Sequence, residues 1–331
     1  MLDTVPVTLL TGFLGSGKTT LLRRVLRAAE FSDTAVVINE VGEISIDHYL
    51  VDFVDGDVIE LPSGCLCCTV REDLAQTLRS LIERRDAGEI RRFQRIVIET
   101  SGLADPAPIL FTLGTDPMLD QRLRLACVVT MVDAVTGAAT LERFLEAARQ
   151  AAVADVLVVS KTDLAPFGRD LADRLDALNP GANCIIGADA TNPAEILFAG
   201  GGRMGAPLSL PAAHRHSHGI AAFAVVLNGS VGRLDFARAL GGLAQDRGYD
   251  LLRVKGLMAF ADRPDRPALI QAAQHAMFTP EWLRGWPDDD RRNRLVFIVH
   301  DISPEEILDR FVFASPSLLG PAMVPEHAVH A

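Results

Sequence analysis

Apolar residues in the first half of the chain fall into five short runs, at residues 5–10, 34–38, 95–98, 125–132 and 155–159. These runs are rich in β-branched residues and bounded by turn formers or charge, as buried strands are. Between them, residues 19–29, 71–85 and 141–152 carry the period of helices. Strands without strict alternation, separated by helices, predict an α/β domain whose parallel sheet has helices on both faces. The pattern weakens after Ala188, where Gly200-Gly201-Gly202 and His214-Arg215-His216-Ser217-His218 mark a connection. Beyond it lie strands at 220–226, 251–260, 269–278 and 295–299 and helices at 234–245 and 304–313, which predict a small α+β domain. The expected organisation is an α/β domain over 1–199, a Gly/His linker over 200–218, an α+β domain over 219–315 and a flexible tail over 316–331.

Composition narrows the class. The 331 residues are 49% hydrophobic and 23% charged, enough to pack a core. Lys and Arg number 32 against 43 Asp and Glu, a net charge of −11. That balance argues against a protein that holds nucleic acid through its phosphates. No run is long and apolar enough to cross a bilayer, and no basic segment precedes the first apolar run. Five cysteines, odd in number and clustered, read as thiols in a reducing cytosol. A cytoplasmic protein is expected, with no nucleic-acid and no membrane partner.

The first chemistry lies between the first strand and the first helix. Gly12-Phe13-Leu14-Gly15-Ser16-Gly17-Lys18-Thr19 fits the phosphate-loop pattern of P-loop NTPases. Gly12, Gly15 and Gly17 let backbone N–H groups turn toward phosphate oxygens, with Ser16 and Thr20 completing the cradle at a helix N-terminus. Lys18 would reach the β- and γ-phosphates, and the Thr19 hydroxyl would ligate Mg²⁺. An apolar strand then ends at Glu99, with Gly102 three residues on. Glu99 would hold Mg²⁺ through water, and the Gly102 N–H could sense the γ-phosphate. A third strand ends in Ser160-Lys161-Thr162-Asp163. Asp163 can accept from the guanine N1–H and N2–H₂ edge, which adenine does not offer, and Lys161 would lay its stem over the base. GTP is favoured on this chain order, although Ser160 stands where most guanine pockets have Asn.

A second chemistry is concentrated in Ser63-Gly64-Cys65-Leu66-Cys67-Cys68. Thiolates suit Zn²⁺ and similar ions such as Co²⁺. In an extended segment Cys65 and Cys67 point the same way and can share one ion, with Cys68 ranked third. Glu40 and Glu43, after the second strand, are candidate carboxylate partners. A redox pair or buried structural thiols remain open as alternatives. Cys127 and Cys184 lie in apolar runs and are expected in the core. His214, His216 and His218 alternate, so they either present three imidazoles on one side or form a solvated linker. The tracts 79–85 and 288–294 are expected to be solvated surface.

Together these segments resemble the CobW-like GTPase metallochaperone family. The resemblance rests on GFLGSGKTTLL at 12–22, NEVGE at 39–43, GCLCC at 64–68, ETSGLADP at 99–106 and SKTD at 160–163. The second half also looks like the CobW C-terminal domain, with Arg253-Val254-Lys255-Gly256 and the strand at 295–299. It implies a GTP-hydrolysing protein that delivers zinc or cobalt to a client metalloprotein. It also implies kinship with the nickel-delivering GTPases of hydrogenase and urease maturation, which act as dimers, so a homodimer is an expected state. Two other readings compete. A P-loop phosphotransferase would explain the phosphate loop but not C-x-C-C, and a metal-storage or sensing module would make nucleotide turnover incidental.

Overall fold

Seven strands build the first sheet: β1 (Val5–Gly12), β2 (Thr34–Asn39), β3 (Val58–Glu60), β4 (Arg95–Thr100), β5 (Leu123–Asp133), β6 (Val156–Ser160) and β7 (Asn183–Ile186). The computed structural model describes residues 4–27, 31, 33–39, 58–60, 69–187, 192, 196–197, 214–215 and 217–319. All neighbouring strands run parallel, in the order β3-β2-β4-β1-β5-β6-β7. Successive strand residues face opposite ways, so an unbroken apolar run means two covered faces. Leu9, Val37 and Ile98 pack with α2 (Thr69–Ala87), α3 (Ala107–Thr115) and α6 (Leu145–Ala152). Leu10, Val36 and Val97 pack with α1 (Lys18–Arg27) on the other side. The expected α/β fold is the one observed.

The differences have local causes. The helix expected over 141–152 is two, α5 (Gly137–Arg143) and α6, because Phe144 is extended and stacks on Phe13 of the phosphate loop, ring centroids 4.6 Å apart. Helix α3 and helix α4 (Pro117–Arg122) lie in a segment for which the sequence pattern predicts no element. There Pro sits in the first turn, where its missing N–H is no loss, and Asp116 accepts from the amides of Met118 and Leu119. Helix α7 (Arg169–Leu178) buries only Leu171, Leu175 and Leu178, too thin a stripe to stand out. Cys127 is in the core as expected, but Cys184 is exposed, because β7 is an edge strand.

The second domain is an antiparallel sheet of β8 (His214–Arg215), β9 (Ile220–Leu227), β10 (Leu251–Phe260), β11 (Arg263–Ala273), β12 (Ala276–Met277), β13 (Glu281–Trp282), β14 (Asn293–His300) and β15 (Pro316–Leu318). Helices α8 (Arg233–Arg247) and α9 (Pro304–Arg310) cover one face. The run expected as one strand over 269–278 turns instead at Gln274, whose φ is 50°, and returns as β12. Residues 316–318, expected in the tail, pair with β9, and the linker's end is tied down by β8. Arg294, expected on solvated surface, is buried and donates to Asp288 at 2.6 Å. Among the described residues no helix is long and apolar enough to cross a membrane.

Alternation in this sheet also builds the junction between domains. Phe223, Val225, Leu295 and Phe297 face α8 and α9, while Ala222, Ala224, Val296 and Ile298 join the core of the first domain. At that junction the Asp155 carboxylate, 4% exposed, receives the Val128 amide, Arg253 Nη2 and Lys255 Nζ, each at 2.9 Å. Burial pushes its pKa up. The Arg253 and Lys255 charges and the Lys255 and Val128 hydrogen bonds outweigh that and hold it well below the usual carboxylate range. Asp155→Asn leaves two cations without a counter-charge and should destabilise the protein by about 3–5 kcal/mol in urea denaturation. A depressed folded pKa stabilises above the unfolded value of about 3.9, and the benefit drains away at lower pH. The gap between the unmodified protein and Asp155→Asn should therefore be full at neutral pH and shrink as the pH falls below about 4.

Candidate functional site

The carboxyl ends of β1, β4, β5 and β6 share one edge of the sheet, and the loops leaving them converge there, as ligand sites in open parallel sheets do. Gly12, Gly15 and Gly17 have φ of 140°, 72° and 99°, which side-chain-bearing residues rarely adopt. A Cβ on Gly12 would lie 2.4 Å from the Met131 carbonyl oxygen of β5, so the turn demands glycine twice over. The loop then opens α1, whose first residues are Lys18 and Thr19.

Lys18 is 8% exposed and donates to the carbonyls of Gly12 at 2.7 Å and Phe13 at 3.2 Å. Its ammonium is thus held over the centre of the loop. The Thr19 hydroxyl donates to Glu99 Oε1 at 3.1 Å, and Glu99 is 3% exposed. Register explains the meeting, since Leu10 pairs with Glu99 and the loop begins two residues later. A buried carboxylate beside a hydroxyl at a phosphate loop is an oxygen donor set suited to a hard cation. The Ser16 hydroxyl is buried beside them without a hydrogen-bond partner among the described residues, which fits an oxyanion acceptor in the cradle. Thr20 is exposed on the first turn of the helix.

The loop after β4 lies directly on the phosphate loop. A Cβ on Gly102 would stand 2.7 Å from the Leu14 amide nitrogen, so only glycine permits this approach. Two residues of α6, not singled out from sequence, fasten that loop. Gln150, fully buried, donates from Nε2 to the carbonyls of Gly102 at 3.2 Å and Ala104 at 2.9 Å. Arg149 donates to Asp105 at 3.1 Å. A Gln and an Arg in a helical pattern carry no spacing signal, so only the fold reveals them.

At the third strand end, Ser160 turns to the protein. Its hydroxyl donates to the Ser16 carbonyl at 2.7 Å, clamping the phosphate loop to β6. Lys161 adopts a left-handed φ of 56°, the kind of local strain that collects at binding sites. Its Nζ lies 3.7 Å from Asp133, a second acid the sequence did not mark. Asp133 also accepts from the amides of Val135 at 3.0 Å and Thr136 at 2.7 Å, which shapes the loop beside Lys161. Asp163 is exposed two residues on, open to a ligand edge.

Glu40, Glu43, Cys65, Cys67 and Cys68 lie outside the described residues, as does His216. His218 donates from Nε2 to the Glu142 carbonyl at 2.8 Å, and the backbone of His214 is part of β8.

This arrangement has counterparts among known proteins. The CobW/HypB/UreG nucleotide-binding domain matches residues 6–186, and the cobalamin synthesis protein cobW C-terminal domain matches residues 220–313. The chain is 33% identical to the zinc chaperone YjiA of Escherichia coli (strain K12), over 94% of this chain and 98% of that protein. It is 37% identical to the zinc-regulated GTPase metalloprotein activator 1 of Schizosaccharomyces pombe, over 49% of this chain and 40% of that one. The crystal structure of Zn(II)-bound YjiA GTPase from E. coli shares its fold at a TM-score of 0.67 and 30% identity, covering 95% of this chain and 99% of that chain. With both domains matched, in the same order and over nearly the full chain, this protein belongs to the CobW/HypB/UreG family.

Proposed function

We propose that the chain is a GTP-hydrolysing metallochaperone that binds zinc or cobalt and hands it to a client metalloprotein in the cytoplasm. The observation that carries the reading is the contact between Thr19 and buried Glu99 beside the Lys18 ammonium. It supports Mg²⁺ at Thr19 and Glu99, where the ion would neutralise charge on the β- and γ-phosphates. Lys18 moves a short way from the loop carbonyls to the phosphates, and the Gly102 amide meets the γ-phosphate from the opposite side. Lys161 covers the base and Asp163 accepts from its guanine edge, with Ser160 holding the loop rather than the base. The names of the relatives, zinc chaperone and zinc-regulated GTPase, support the nucleotide and the metal.

The metal is cargo in this reading. Its ligands are Cys65, Cys67 and Cys68 with Glu40 and Glu43, all thiolate or carboxylate donors that accept zinc and cobalt alike. Described strands on either side of these segments support their coupling to nucleotide. β2 and β3 are adjacent and parallel, and Asn39 pairs with Thr100 of β4. The chain therefore leaves β2 and β3 at the edge where Thr19, Glu99 and Gly102 stand. Leu14, Leu103, Val135, Leu164 and Ile186 are exposed around that same edge, which supports docking of a client or of a second copy there.

Lys18→Ala should abolish nucleotide binding in isothermal titration while leaving thermal unfolding nearly unchanged. Asp163→Ala should lose its preference for GTP over ATP by about tenfold or more, as expected when a charged acceptor to guanine is removed. If ATP and GTP compete equally in the unmodified protein, the guanine assignment is wrong. Zinc affinity, read by competition with a chelator, should differ between a non-hydrolysable GTP analogue and GDP by about 1–3 kcal/mol. Equal affinities, or unaltered zinc binding by a Cys65→Ser, Cys67→Ser variant, would refute the coupling.

A further inference from the structure

The loop after β4, which carries the Gly102 amide to the phosphate loop, is held by a side chain of another element. Gln150 is fully buried on α6, and its Nε2 donates to the carbonyls of Gly102 at 3.2 Å and Ala104 at 2.9 Å. Its Oε1 is also buried and has no partner among the described residues. A buried amide with an unpaired oxygen is destabilising, and an apolar side chain would pack a helix against a sheet without that cost. What the amide adds is a pair of hydrogen bonds to one loop.

The anchor is firmer than the loop it holds. The Gln150 carbonyl accepts from Thr130 Oγ1 of β5 at 2.7 Å, and Asn179 donates to the next two carbonyls of α6, each at 3.0 Å. Between β4 and α3 the loop is closed on itself by a turn, the Ala104 amide donating to the Ser101 carbonyl at 3.1 Å, and Leu103 is exposed at its tip. The Gly102 amide donates to no group among the described residues, although the residue is buried against Leu14. A second tie, Arg149 to Asp105 at 3.1 Å, is about a quarter exposed on each side, so solvent weakens it. Gln150 therefore does most to decide where Gly102 stands.

We propose that Gln150 is a positioning residue that sets how strongly the protein distinguishes GTP from GDP. This inference rests on the nucleotide reading above. GTP offers the Gly102 amide a γ-phosphate, whereas GDP leaves it nothing to meet. A loop released from Gln150 spends less time against the phosphate loop, which reduces the population competent for the γ-phosphate. Only a ligand that binds the two loop positions differently feels that change, so GTP loses affinity and GDP does not.

The test is isothermal titration of the full chain with a non-hydrolysable GTP analogue and with GDP, both with Mg²⁺. Gln150→Met keeps the length of the side chain and removes both donors. Affinity for the GTP analogue should fall by about tenfold or more, while affinity for GDP changes by less than about twofold. With GDP bound, hydrogen exchange across residues 101–105 should be faster in the variant than in the unmodified protein, and exchange in β1 should be unchanged. Equal losses for both nucleotides would show a role in stability alone and overturn the proposal. An unchanged affinity ratio in the folded variant overturns it too. If Gln150→Met does not fold, Gln150→Asn, whose amide is one methylene too short for the two carbonyls, takes its place with the same expected and overturning results. Failure of the unmodified protein to bind either nucleotide would overturn the nucleotide reading and this inference with it, whereas an unchanged ratio in the variant overturns this inference alone.

Discussion

The two domains meet on a buried carboxylate. Asp155 follows helix α6, and its side chain is shared by an amide of the parallel sheet and two cations of the antiparallel one. A charge this deep is tolerated only where its partners are fully supplied, and here they come from both sides of the junction. The surrounding contact is apolar, contributed by the face of β9 and β14 that α8 and α9 leave uncovered. Apolar burial supplies the adhesion, and the ionic cluster decides register, because only one placement of β10 brings Arg253 and Lys255 to the same oxygen.

Helix α6 extends that constraint to the nucleotide edge. Near its end, Arg149 and Gln150 hold the loop that carries Gly102, and the chain then runs directly into Asp155. Asn179 completes the connection by donating to the carbonyls of Ala151, Ala152 and Ala154, where the helix ends and the chain turns toward Asp155. The glycine loop, the acid at the end of β4 and the second domain are therefore parts of one hydrogen-bonded framework. Rearrangement of the Gly102 loop has a direct mechanical neighbour in the second domain.

The opposite edges of the parallel sheet have contrasting character. At the carboxyl edge, glycines with positive φ, a buried acid and exposed apolar side chains crowd together. At the amino-terminal edge, Arg85, Arg92, Arg95 and Arg124 gather around a depression, and Asp86, Asp33 and Glu281 pair with three of them. In a parallel sheet every strand start is on one side and every strand end on the other, so sequence-distant residues at like positions become neighbours. Arg85, Arg92, Arg95 and Arg124 are spread over some forty residues of sequence and become neighbours only through this arrangement.

Local chemistry determined what the sequence could reveal by itself. The glycine spacing of residues 12–17, the acid at the end of an apolar strand and SKTD after a later one are each read within a few consecutive residues, and the fold brings them to one edge of the sheet. The strands were legible because burial on both faces leaves continuous apolar runs. Tertiary structure decided the rest, where the signal depends on a distant partner. Phe144 breaks a helix because Phe13 waits for its ring, Ser160 serves the phosphate loop because β6 ends beside Ser16, and residues 316–318 form a strand because β9 offers an open edge. Asp155 shows the limit most clearly: one acid among many in the chain, it acquires its role only when Arg253 and Lys255, about a hundred residues away, are carried to it by a second sheet.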